Sequence, residues 1–134
     1  MKKLPTALVL AALAATPAFA EGDPAKGEKL FKKCKACHMI ANGDEVIFKG
    51  GKTGPNLFGI IGQKVADVEG FKFGKGLTEL GEQGMVWDEA NLAAWIEDPK
   101  GFLKEHGVTP KTKMTFKLKK GAADVAAYLA SVSQ

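Results

Sequence analysis

The sequence predicts an all-α, single-domain protein whose long loops wrap a cofactor. Three observations carry that reading. Apolar residues recur at three- and four-residue steps in three separate segments, the spacing of one helix face. Between them lie glycine- and proline-punctuated stretches with no obvious pair of alternating strands. The chain is also short, with no internal repeat, no low-complexity tract and no second domain.

The first twenty residues read as a leader rather than as part of the fold. Lys2 and Lys3 supply a positive start, Leu8 to Ala15 an apolar run, and Ala18-Phe19-Ala20 a small-x-small cleavage site. The run is shorter than the ~20 residues needed to span a bilayer. Cleavage after Ala20 leaves residues 21–134, or 114 residues, one small domain with a modest core of its own. A buried cofactor would supply the missing apolar bulk.

Asp23-Pro24 reads as an N-cap followed by proline at the first helical position. Gly27, Leu30, Phe31, Cys34 and Cys37 then fall on one face, which predicts a helix over 24–37. From Met39 to Gly54 the pattern breaks up, with Asn42-Gly43 and Gly50-Gly51 as turns. Val46-Ile47-Phe48 has the composition of a short strand but no evident partner. Gly54-Pro55-Asn56-Leu57 is a stiff turn, and Phe71 and Phe73 alternate as if facing one surface. A short helix is predicted over Leu77 to Gln83. Asp88 caps a further helix with Leu92, Trp95 and Ile96 as its stripe, ended by Pro99. Residues 100–118 read as loop, and Ala122, Val125, Tyr128, Leu129 and Val132 mark a last amphipathic helix.

Cys34-Lys35-Ala36-Cys37-His38 carries the chemistry. Two thiols three apart, followed at once by an imidazole, are what covalent attachment of a c-type haem requires. Each thiol can form a thioether to one porphyrin vinyl group, and His38 is then held against the iron. Helical spacing puts both thiols on one side, where a flat ring meets both. The rival reading, a disulfide or thiol-oxidoreductase pair, lacks the preceding strand that such motifs follow and leaves His38 unexplained. The motif occurs once, which predicts one haem.

All 19 basic residues are lysine. Without Lys2 and Lys3 the count is 17 against 15 acids, a formal +2, which argues against nucleic acid as a partner. Distribution is more informative than total. Lys26, Lys29, Lys32, Lys33 and Lys35 crowd the haem motif, while Lys111, Lys113, Lys117, Lys119 and Lys120 surround Met114.

The sixth iron position separates electron transfer from ligand chemistry, because two strong protein ligands restrict iron to outer-sphere exchange. Met39 adjoins His38 and cannot easily reach the other haem face. Met85 reads as core filler. His106 would give bis-histidine ligation, but its Lys-Glu-His-Gly setting reads as exposed. Met114, in Lys-Thr-Lys-Met-Thr-Phe, lies outside any helical stripe and ranks first among the four.

Asp23 to Phe31, Cys34-x-x-Cys37-His38, Lys52-Thr53-Gly54-Pro55-Asn56-Leu57, Asp98-Pro99-Lys100 and Lys111-Thr112-Lys113-Met114-Thr115-Phe116 follow one another in that order. Together they resemble a class I cytochrome c, and most closely the bacterial cytochrome c2 group, over essentially all of residues 21–134. The resemblance implies the class I cytochrome c fold, with N- and C-terminal helices packed together and loops around one covalent haem. It implies Met114 as sixth ligand, Pro55 as the carbonyl acceptor for His38, and Trp87 as an indole donor to a haem propionate. Gly27, Phe31 and Tyr128 resemble the contact between the terminal helices. Three positions depart from the family pattern: Gln63 stands where an Arg is common, Phe73 where a Tyr hydroxyl often reaches a propionate, and Trp95 where a Tyr often contacts the ligand sulfur.

By that resemblance the protein is a monomeric, soluble periplasmic electron carrier and not an enzyme. It would accept electrons from a cytochrome bc1 complex and deliver them to a photosynthetic reaction centre or a terminal cytochrome oxidase. Lys32, Lys35, Lys113 and Lys117 are the candidate docking residues for acidic partners. The alternative is a haem enzyme or gas-binding protein with a labile sixth ligand, for which no distal His or Arg is evident.

Overall fold

A computed structural model describes residues 22–133, so the leader and its cleavage point lie outside the described residues. Five helices and one small hairpin make up the fold: α1 (Pro24–Leu30), β1 (Ile40–Asn42), β2 (Glu45–Phe48), α2 (Lys75–Glu82), α3 (Glu89–Glu97), α4 (Pro99–Glu105) and α5 (Ala122–Val132). No helix among the described residues is long and apolar enough to cross a membrane.

Asp23 caps α1 as its sequence suggests, its carboxylate accepting from the Ala25 and Lys26 amides. The helix does not continue to residue 37. It ends at Leu30, tightens into a 3-10 turn over Phe31–Lys33 and leaves by turns through Cys37. The reason lies in where the carbonyls go. Phe31 O accepts from Cys34 N and Cys34 O from Cys37 N, three-residue bonds that replace the α-helical ladder, while Lys35 O and Cys37 O accept from Gly51 N and Gly54 N.

The terminal helices cross in direct contact. A Cβ on Gly27 would run into the Asp124 carbonyl and lie 2.8 Å from Tyr128 Cβ, so the poor helix former at this site is what lets α1 and α5 touch. The Asp23 amide donates to Asp124 Oδ1 at 2.7 Å, and Phe31 packs 5.9 Å from the Tyr128 ring. Helix α3 packs on α5 as well, and Phe31, Val125 and Leu129 lie at the centre of the core.

Two expectations need correction. Val46-Ile47-Phe48 does have a partner: β2 pairs antiparallel with Ile40–Asn42 across a turn at Gly43, whose φ of 60° suits glycine. The partner strand hid in the sequence because it is only three residues long. Pro99 does not merely end α3. It begins α4, with Asp98 serving both as the end of one helix and as N-cap of the next, accepting from Gly101 N at 3.1 Å. Helix α4 then closes in a Schellman arrangement: Val108 N donates to Leu103 O and Gly107 N to Lys104 O, with Gly107 at φ 68°. Seven residues with three buried apolar side chains, Pro99, Phe102 and Leu103, are too few to show a stripe, so the segment reads as loop.

A haem-sized cleft and its ligands

Between the 31–38 and 53–60 segments, α3, α5 and the 112–116 segment lies an apolar cavity of about 320 Å³. Cys34, Cys37 and His38 line it, and so does Met114, 76 residues later in the chain. Leu57, Ile60, Leu77, Leu92, Ile96 and Leu129 give it hydrocarbon walls, and Phe71, Phe73, Trp87 and Trp95 contribute their rings.

His38 is set by two constraints. Its Nδ1 lies 2.8 Å from the Pro55 carbonyl oxygen. A carbonyl only accepts, so Nδ1 carries the proton and Nε2 keeps its lone pair for a metal. Burial pushes the imidazole below its ordinary pKa, opposed in part by the bond to Pro55, and the neutral ring is the form that ligates. Behind the ring, a Cβ on Gly54 would stand 2.7 Å from Nδ1, and one on Gly50 or Gly51 would strike the carbonyls of His38 or Ala36. Three glycines thus form a backbone wall against the motif. From sequence alone Gly50-Gly51 reads only as a turn.

The thiols differ in setting. Cys34 is half-buried and Cys37 exposed, and they are not bonded to each other. Burial, and then the nearness of Cys37, pushes the Cys34 thiol up to about 11. A thiol so reluctant to ionise is a poor candidate for redox exchange. The thiol-oxidoreductase reading loses its support here.

Asn56 is a structural residue that the sequence did not single out. Its side chain accepts from Ala41 N at 3.1 Å and donates to Ala41 O at 2.8 Å, pinning β1 to the Pro55 turn. An Asn directly after Pro in a turn was the available signal.

The other candidates fall out by position. His106 is exposed, donates from Nδ1 to Phe102 O at 2.8 Å and stacks on the Phe102 ring; it does not line the cleft. Met85 is partly buried against the core, as a filler would be. Trp87 is 4 % exposed, lines the cleft and is fixed by backbone bonds to Gln63 O and from Gly62 N. Phe71 and Phe73 do share a surface, meeting edge to face at 4.8 Å. Gln63 spends its side-chain amide on Asp67 O, and Trp95 packs against Trp87 and Phe102.

Of the candidate docking lysines, Lys32 and Lys35 are exposed beside the thiols. Lys113 donates to Lys72 O and sits 5.6 Å from the Phe71 ring centroid. Lys117 pairs with Asp98 at 3.3 Å.

Comparison with known proteins agrees with this geometry. No family profile matches the chain. Cytochrome c-550 of Paracoccus versutus is 57% identical over 131 residues, covering 92% of this chain and 85% of that protein. This chain belongs to the cytochrome c-550/c2 family. Cytochrome c2 of Rhodobacter capsulatus is 50% identical over 133 residues, covering 96% of each. The X-ray structure of ferric cytochrome c-550 from Paracoccus versutus superposes with a TM-score of 0.81, covering 85% of this chain and all of that one. That of cytochrome c2 from Rhodobacter capsulatus gives 0.80 at 49% identity, covering 84% of this chain and all of that one. As a cytochrome of this family, the protein is a monohaem electron carrier, and its two cysteines, Cys34 and Cys37, are the thiols for one covalent haem c. The residues present fit that group: paired thiols, an imidazole with a free Nε2, a thioether and apolar walls converge on one cleft.

Proposed function

We propose that the protein is a periplasmic carrier taking single electrons from a cytochrome bc1 complex and passing them to a photosynthetic reaction centre or terminal oxidase. The observation that carries this reading is that His38 and Met114, far apart in sequence, line the same cavity. Bound there, the haem supplies a one-electron iron couple, and Met/His ligation, the pairing known in cytochromes c, raises its potential relative to bis-histidine. Pro55 orients the His38 ring and holds its proton on Nδ1. Met114 offers a sulfur on a segment tied by side chains. Trp87 presents a buried ring to the cleft, where its indole N–H can meet a propionate. Phe71, Phe73 and the aliphatic walls exclude water. The protein acts as a monomer with no stable membrane anchor, exported by the leader in residues 1–20, which is removed after Ala20.

Lys32 and Lys35 present exposed charge beside the thiols and form the centre of the docking surface for acidic partners; Lys113 and Lys117 contribute from the Met114 side. Measured against a purified acceptor complex, the association rate should fall several-fold as salt rises past the point where the screening length is about 10 Å. A rate indifferent to salt removes the steering role. The optical spectrum of the oxidised protein tests the ligation: a weak far-red charge-transfer band reports iron–methionine bonding. Its absence, together with rapid carbon monoxide binding by the reduced protein, would replace the carrier reading with that of a gas-binding or catalytic haem protein.

A further inference from the structure

Outside the cleft, one carboxylate is committed in an unusual way. Glu79, on α2, receives two bonds from a single residue 30 positions away: Thr109 N donates to Oε2 at 2.8 Å and Thr109 Oγ1 to Oε1 at 2.7 Å. A surface glutamate on a helix ordinarily faces water or a lysine one turn away. Lys75 is in that place and contributes least among the influences on this carboxyl. The bonds to Thr109 come first and hold Glu79 below the usual carboxylate range, which keeps it ionised as a strong acceptor.

Thr109 opens the stretch that leads to Met114, and this stretch contains neither helix nor strand. Its ties run in sequence. Thr109 O accepts from Lys111 N at 2.8 Å, Lys111 O accepts from Gly76 N at 3.1 Å, and Thr112 Oγ1 accepts from Met114 N at 3.0 Å. Helix α2 is therefore a backing for the segment, touching it through Glu79 and Gly76. The approach is close: a Cβ on Gly76 would strike Thr109 O, and one on Gly74 would lie 3.1 Å from Thr112 Cα. Among these ties, only Glu79 uses a charged side chain to reach the segment from outside it.

We propose that Glu79 is a positioning residue for Met114: by holding Thr109 against α2 it fixes the segment that carries the thioether and limits how readily an outside ligand displaces it. The inference rests on Met114 being the sixth ligand, and the test separates the two claims. The oxidised holoprotein is titrated with imidazole while the far-red band is followed, in the wild type, Glu79→Ala, Glu79→Gln and Glu82→Ala. Glu82 is exposed on the same helix, so its variant removes the same charge without the tie.

Glu79→Ala should bind imidazole roughly three- to tenfold more readily, the range an ordinary net hydrogen bond supports, because solvent screens the ties of a partly exposed carboxylate. Glu79→Gln, which keeps one acceptor oxygen, should fall between it and the wild type, and Glu82→Ala should match the wild type. Amide exchange at Thr109 should quicken in Glu79→Ala while the α2 amides hold their rates. A wild type with the band, together with a Glu79→Ala indistinguishable from it in imidazole binding and Thr109 exchange, overturns the positioning role alone. Equal effects from Glu82→Ala also overturn it, because charge rather than the tie would then be responsible. A wild type lacking the band overturns the Met114 ligation and this inference with it. Should Glu79→Ala not fold, Thr109→Val removes one donor only and is read by the same outcomes.

Discussion

The two sides of the cleft are held in different ways. Around His38, Gly50 and Gly51 press backbone on backbone against Lys35 to His38, Gly54 presses on the His38 ring, and amides at 51 and 54 reach carbonyls at 35 and 37. Around Met114, a backbone bond from Gly76 to Lys111 is supplemented by side-chain ties: Thr112 to the Met114 amide, Glu79 to Thr109, Lys117 to Asp98. Backbone contact leaves no slack, because a peptide cannot change rotamer. Side-chain ties are individually modest, at ~1 kcal/mol net for an ordinary hydrogen bond. The His38 side is therefore the more rigid, while the Met114 side is the more adjustable, and substitution can tune it without unfolding the domain.

The sharpest way to break that comparison is at Gly54. Gly54→Val forces a branched side chain onto the His38 ring and should cost about 3 kcal/mol, the upper range for overpacking. The guanidinium unfolding midpoint of the holoprotein should fall accordingly. If it does not move, the glycine wall is soft and the contrast fails. Gly27→Ala comes next. Helix propensity alone favours alanine by about 1 kcal/mol, yet the collision with Asp124 O should reverse the sign and destabilise by roughly 2 kcal/mol. A gain in stability would show that α1 and α5 have room to part.

On the Met114 side the effects should be smaller and confined to the ligand. Thr112→Val removes the hydroxyl that accepts from the Met114 amide and should cost ~1 kcal/mol, with a weakened far-red band and little change in helical circular dichroism. Loss of helix as well would mean that this segment is structural rather than adjustable.

The smallest effect concerns pH. The Gly101 amide first, and then Lys117, hold the Asp98 carboxyl below its ordinary range. A folded value below the unfolded one adds stability that is fully present above the unfolded value and is lost as pH falls through the folded one. The difference in unfolding midpoint between wild type and Asp98→Asn should therefore be present near neutrality and shrink as pH falls below the ordinary carboxylate range. Asn caps a helix nearly as well as Asp, so any larger loss at neutral pH would point to Lys117 as the stronger partner.

Some of this was legible from residues alone. Cys34, Cys37 and His38 announce their chemistry because attachment is local: the reacting groups are neighbours in sequence. The caps at Asp23 and Asp88 are equally local, each satisfying amides within three residues. Helix α4 and strand β1 were not legible, since seven and three residues are too short for periodicity to emerge. The true end of α1 was hidden as well, because the residues past Leu30 keep the apolar spacing of a helix while their bonds tighten to three-residue steps.

By itself, then, the sequence determined the cofactor, the candidate histidine beside its thiols and the longer helices, all of which follow from patterns among near neighbours. Only the tertiary structure put Met114 and His38 on the walls of one cavity and brought Glu79 across to Thr109. Those are meetings between segments 30 or more residues apart. Spacing along a chain says nothing about them until hydrophobic burial has brought the helices together.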